Sequence, residues 1–110
     1  MTDETNAGTV TWINVFEVEP EKLESFLAAW RDRAEVMRKR PGFRSLQLHR
    51  ALSPDARFQV INVAVWESAE ALLAATNQED WREKAINAAE DLGFTANPAL
   101  YRVAFEMTQP

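Results

Sequence analysis

The stretch Phe58–Ser68, FQVINVAVWES, reads as a buried strand that carries an amide and an indole four residues apart. In a strand, side chains at i and i+4 share a face, so Asn62 and Trp66 line one wall. Burying an unpaired amide costs about 1 to 3 kcal/mol. Asn62 therefore requires either a backbone partner nearby, with Trp66 as ordinary core, or a functional reason to be where it is. Two other stretches repeat the pattern. If Val10–Val18, VTWINVFEV, is a strand, Asn14 shares a face with Trp12 and Phe16. In Phe43–Arg50, FRSLQLHR, the only histidine of the chain, His49, shares a face with Ser45 and Gln47. Three strands thus place polar groups where a core would prefer apolar ones, as a polar-dotted pocket in an apolar wall requires.

Outward from these strands, Pro20 suits the first turn of a helix, with Glu19 and Glu21 adding favourable negative charge. Leu23, Phe26, Leu27, Trp30, Ala34 and Met37 recur at helical spacing and predict one apolar helix face ending before Pro41. Arg38, Lys39 and Arg40 read as cations at the helix C-terminus, and Pro41–Gly42 turns the chain into the next strand. Ser53, Pro54 and Asp55 predict a turn between the second and third strands, which then form a hairpin. Ser68 is a helix cap. The helix it starts breaks near Asn77 and Gln78 and resumes at Glu79, with Trp81, Ala85, Ala88, Ala89 and Leu92 as its apolar stripe and Gly93 as its stop. Asp80, Glu83 and Lys84 read as a solvated face. Asn97 and Pro98 lead to a final strand expected over Ala99–Met107.

The order strand, helix, strand, strand, helix, strand is the ferredoxin-like βαββαβ arrangement, an α+β fold with a four-stranded antiparallel sheet. Met1–Gly8 is expected to be a disordered tail and residues 9–107 a single domain. Two helices cover one side of one sheet. Thr11, Ile13 and Val15 on the first strand and Ile61, Val63 and Val65 on the third make the other side apolar too, which predicts a homodimer closed through the open sheet face.

The chain has 110 residues, no cysteine, one histidine and a formal net charge of −5. One domain of this size buries roughly two-thirds of its unfolded surface and needs no disulfide or metal staple. A cysteine–histidine zinc site or a two-histidine iron site cannot be assembled from these residues. The acidic balance argues against a nucleic-acid partner, and no apolar run approaches the length of a membrane span. The acidic, polar start of the chain is unlike a signal peptide, so a cytoplasmic location is expected.

With the strands placed, the chain resembles the antibiotic biosynthesis monooxygenase family from Val10 to Glu106. The resemblance is carried by VTWINVFEVEPE, by the RPGF turn at Arg40–Phe43 and by NVAVWES at Asn62–Ser68. It implies a dimeric α+β barrel. In members that oxidise polyketide anthrones to quinones, an asparagine and a tryptophan spaced as Asn62 and Trp66 belong to the active site. A histidine spaced from the turn as His49 is from Phe43 is used in some, and a first-strand asparagine matching Asn14 is implicated in several. A tyrosine and an arginine of one branch stand here as Leu72 and Ile86. In the haem-degrading branch only Asn14 has a counterpart, since the tryptophan and haem-ligating histidine positions hold Ala75 and Ala85.

Triplet dioxygen reacts poorly with closed-shell molecules, so an oxygenase needs a flavin, a metal or a substrate that itself donates an electron. The three glycines, Gly8, Gly42 and Gly93, form no phosphate-binding loop. The resemblance implies cofactor-independent oxidation of an electron-rich phenol, anthrone or quinol by O2 through a substrate carbanion. Asn62 and Asn14 would donate to the developing oxyanion, and Trp66 would supply a flat wall. His49 would act as base or donor, or else stand exposed at a strand end. Phe16 and Leu72 are the candidate substrate-binding residues. A noncatalytic small-molecule-binding or stress-related member of the same dimeric fold is the alternative at this point.

Overall fold

A computed structural model describes residues 8–110; of the expected tail, Met1–Gly8, all but Gly8 lies outside them. Strand β1 spans Val10–Glu17, and a single 3-10 turn at Pro20–Lys22 leads into helix α1, Leu23–Met37. Strands β2, Phe43–Arg50, and β3, Val60–Trp66, follow, then helices α2, Ala69–Thr76, and α3, Glu79–Leu92, and strand β4, Thr95–Tyr101. The sheet is antiparallel in the order β2-β3-β1-β4, the ferredoxin-like arrangement expected from the sequence. No helix among the described residues is long and apolar enough to cross a membrane.

Each boundary has a local cause. Pro20 sits in the first turn of the 3-10 segment, where its missing N–H costs nothing. Ser68 is extended and its Oγ accepts from the Ala71 N–H at 3.0 Å, a cap worth about 1 kcal/mol. Gly93 closes α3 in the left-handed conformation at φ 65°, its N–H donating to the Ala89 carbonyl. At the other end of α3, Arg40 meets both carboxylate oxygens of Asp80 at 3.2 Å, and Asp80 accepts from the Trp81 N–H at 2.8 Å. Sequence spacing alone makes Arg40 a helix cap and Asp80 part of a solvated face; in the fold they tie the end of α1 to the start of α3.

One expectation is corrected. The last strand begins at Thr95 rather than Ala99, ends at Tyr101 rather than Met107, and contains Pro98. Asn97–Pro98 looks like a turn in sequence, yet β4 is a sheet edge, where the lost prolyl N–H is tolerated. Val103, Phe105 and Met107 lie beyond the strand and are exposed.

Alternation decides which face each strand residue takes. Val10, Trp12, Asn14 and Phe16 of β1 and Val60, Asn62, Ala64 and Trp66 of β3 lie on the helix-covered face; Ile13, Val15, Ile61, Val63 and Val65 lie on the open one. Turn Pro41–Gly42 holds α2 against this layer. Gly42 has φ 88°, its carbonyl accepts from the Glu67 N–H at 2.7 Å, and a Cβ there would meet the Ala71 Cβ at 2.5 Å. Gly42→Ala is expected to destabilise the protein by roughly 2 to 4 kcal/mol, combining backbone strain with displacement of α2. Thermal unfolding by circular dichroism measures this, and an unchanged midpoint would refute the close approach.

Candidate functional site

The layer between sheet and helices contains two apolar clusters. One gathers Val10, Met37, Ala64, Trp66, Leu72, Ala75 and Trp81, with Trp12, Phe43 and Leu46 packed on it. The other gathers Phe16, Val18, Leu23, Phe26, Trp30 and Val60, with Leu48 and Phe94 at its margin. Along β1 the order is Trp12 in the first cluster, then Asn14, then Phe16 in the second. Along β3 it is Val60, Asn62, Ala64, and along α1 it is Trp30, Arg33, Met37. Each of these elements thus puts its buried polar residue in the row between the clusters. Asn14, Asn62 and Arg33 form a polar seam through an otherwise apolar core.

The two asparagines are directly paired across β1 and β3 but differ in their bonding. Asn14 Oδ1 accepts from the Asn97 N–H at 2.9 Å, and Asn97 Nδ2 donates to the Val15 carbonyl at 3.1 Å. These side chains fasten β4 to β1 beside Pro98, which lacks a donor. Asn62 has 0 % exposure, and neither its Oδ1 nor its Nδ2 has a hydrogen-bond partner among the described residues. Trp66, on the same face, is 1 % exposed, packs edge-on against Phe43 at 5.4 Å and leaves its Nε1 unpaired. Buried polar groups are nearly always bonded, and the backbone supplies Asn62 with no partner.

Arg33 is a buried residue of the seam that its charge conceals in the sequence, where it counts with the polar side of α1. The signal that reveals it is spacing, since it follows Trp30 by three residues and precedes Met37 by four, which puts it on the apolar stripe. Its guanidinium lies over two indoles, 4.7 Å from the centre of Trp30 and 4.6 Å from that of Trp81. Arg33 is 8 % exposed and its Nε is unpaired; burial lowers its pKa to about 10, so it remains cationic at neutral pH. Trp12 meets Trp81 edge-on at 6.5 Å, extending the aromatic wall.

Phe16 is fully buried and touches Phe26, Trp30 and Phe94 edge-to-face at 4.9, 5.2 and 5.6 Å. Leu72 is buried in the cluster of Trp66. His49 is not brought to this seam. It pairs with Ile61 and stands exposed on the open sheet face, opposite Asn62 and Trp66. Ile86 is exposed on α3. Two shallow surface hollows, one along Glu35, Val36, Lys39 and Arg40 and one bordered by Glu17, Pro54, Arg57 and Thr95, do not include Asn62 or Trp66.

An α+β sheet-and-helix layer with this strand order is the architecture of a family of small monooxygenases. The family model described as antibiotic biosynthesis monooxygenase matches residues 9–85. The chain belongs to that family. No curated protein matches it significantly. Among solved structures, a monooxygenase candidate from Shewanella loihica is 35% identical, with a TM-score of 0.73 over 90% of this chain and 97% of its own. SnoaB, a cofactor-independent oxygenase from Streptomyces nogalater, is 25% identical, with a TM-score of 0.78 over 93% of this chain and 99% of its own. A protein from Deinococcus radiodurans, at 13% identity and a TM-score of 0.76, shares the fold. These likenesses support a general monooxygenase role.

The contrast between the asparagines is measurable in chemical denaturation. Asn14→Ala removes the acceptor of the Asn97 N–H and is expected to cost about 1 to 2 kcal/mol. Asn62→Leu replaces an unpaired buried amide by an apolar side chain of similar size and is expected to raise stability by about 1 to 2 kcal/mol. A large loss in Asn62→Leu would show that the amide is structurally engaged.

Proposed function

We propose that the protein is a cofactor-independent monooxygenase acting on an electron-rich polycyclic phenol, anthrone or quinol. The observation that carries this is Asn62, a fully buried amide with both polar atoms unpartnered, in an aromatic wall shared with Trp66. Such an amide is preorganised to donate to an oxyanion formed in a dry layer, an effect of roughly 3 to 4 kcal/mol on a barrier. The indole of Trp66 supplies a flat apolar surface and one further N–H. Phe16 and Leu72 close the same layer on either side of the seam.

For an anthrone the chemistry balances with O2 alone. The methylene carbon loses a proton to solvent, and the delocalised carbanion gives one electron to dioxygen. The two radicals join as a carbon-bound peroxide anion, which takes up a proton from solvent and then loses water to leave a carbonyl. One oxygen atom enters the product and the other leaves as water. Asn62 acts where charge gathers on the substrate oxygen. Asn14, whose Oδ1 holds β4, contributes through position, and His49, on the other sheet face, takes no part in proton transfer within one chain.

A homodimer through the open sheet face accompanies this reading. Ile13, Val15, Ile61, Val63 and Val65 give that face an apolar centre, bordered by Ser45, Gln47 and His49. The alternative, a noncatalytic binding member of the same fold, is favoured by one feature, that no histidine or carboxylate is among the buried residues of the seam.

Oxygen uptake by the purified protein with a dihydroxyanthrone, in flavin-free and metal-free buffer, tests the activity. Uptake is expected with wild type and to fall by about 100-fold in Asn62→Ala, the usual loss of an oxyanion donor. Uptake of equal rate in both proteins would remove Asn62 from the site, and none with any of several phenols would leave the binding reading. Sedimentation equilibrium tests assembly. Wild type is expected as a dimer and Val63→Asp as a folded monomer; a monomeric wild type would refute closure through the sheet.

A further inference from the structure

The buried polar atoms of the helix–sheet layer are unevenly matched. Asn62 Nδ2, Trp66 Nε1, Trp30 Nε1 and Arg33 Nε are all donors without partners, and Asn62 Oδ1 is the one acceptor without a partner among the same residues. Unpaired donors thus outnumber unpaired acceptors four to one among these residues, and one of the donors belongs to a cation. A ligand that satisfies this set brings acceptors and negative charge rather than hydroxyl donors.

Arg33 gives this demand a direction. Its guanidinium carbon lies over two indole rings, at 4.7 and 4.6 Å, and all its N–H groups lie in the guanidinium plane, so hydrogen bonds are made at its edge. None of the four ion pairs among the described residues includes Arg33. The nearest comparison is Arg40, whose Nε is also unpaired but whose charge is met by Asp80. A buried cation without a carboxylate is costly to retain, and cation–π contact offsets only part of that cost. A leucine on the stripe between Trp30 and Met37 would avoid it.

We propose that Arg33 is the anion-binding residue of the seam, and that it selects planar aromatic ligands bound as the phenolate or enolate, with the charged oxygen at the guanidinium edge. This rests on the reading of the seam as a ligand site. In that position Arg33 lowers the pKa of the bound phenol and holds the oxyanion whose ring system lies along the indole walls. Neutral aromatics without an ionisable oxygen gain nothing from it.

The test uses a dihydroxyanthraquinone, whose phenol and phenolate differ in colour and which has no methylene to oxidise. Titrated with saturating wild-type protein, the dye is expected to ionise about 1 to 2 pH units below the free dye. With Arg33→Met the bound dye is expected to ionise about 1 to 2 pH units above the dye bound to wild type, so that the preference for phenolate over phenol falls about 10- to 100-fold. Arg33→Lys is expected to ionise the dye at an intermediate pH. Anthraquinone without hydroxyls is expected to bind wild type and Arg33→Met within about twofold. If Arg33→Met lacks the near-ultraviolet circular dichroism of wild type, Arg33→Gln takes its place as the uncharged variant. A dye that binds wild type but ionises as it does when free, or that ionises alike in wild type and the uncharged variant, overturns the role of Arg33 and leaves the seam as a ligand site. A dye that does not bind wild type overturns the seam site itself.

Discussion

The pairing of β1 with β3 governs the rest of the molecule. With Asn14 opposite Asn62, the aromatic residues of both strands face the helices and the aliphatic residues Ile13, Val15, Ile61 and Val63 face away. A slip of one residue would exchange the two sets, exposing Trp12, Phe16 and Trp66 and burying a row of small aliphatics under helices shaped for indoles. Because the register is fixed this way, the two asparagines fall in the same row, and Arg33 comes into that row from α1. The site follows from the alignment of two strands.

This row is also where the fold is least economical. An apolar residue at position 62 or 33 would satisfy the layer better than an unpaired amide or an unpaired cation. The neighbouring rows show what ordinary packing looks like here, with Phe16 edge-to-face against Phe26, Trp30 and Phe94 and each pair contributing about 0.5 to 1.5 kcal/mol beyond simple burial. Stability is concentrated on both sides of the seam, while in the seam itself the Asn62 amide and the Arg33 Nε have no hydrogen-bond partner among the described residues. Proteins retain such groups at working sites more often than in plain core.

The fold is legible in the sequence because its signals are local and redundant. Alternation in Val60–Trp66, the helical stripe from Leu23 to Met37, the Ser68 cap and the Gly93 stop each stand on a few adjacent residues. The start of β4 is obscured because Asn97 and Pro98 carry turn chemistry, and only the pairing partner reveals that this proline lies on an edge and that Asn97 bonds to β1. The wall of Asn62 and Trp66 is readable from strand periodicity. The face of His49 relative to that wall is not, because it depends on which residue of β3 lies beside it. Arg33 is hidden for another reason: its charge suggests solvent, and what buries it is a tryptophan on a different helix.

Strand β4 bears on how the sheet meets other proteins. The Asn97 N–H points inward to Asn14, and successive residues of a strand direct their backbone groups to opposite sides, so the nitrogen of Pro98 faces the outer edge. At the middle of that edge there is no donor for an incoming strand, and the run of hydrogen bonds that an added strand would need is interrupted there. The β4 side is therefore a poor template for adding strands, and lateral growth of the sheet along that edge is discouraged.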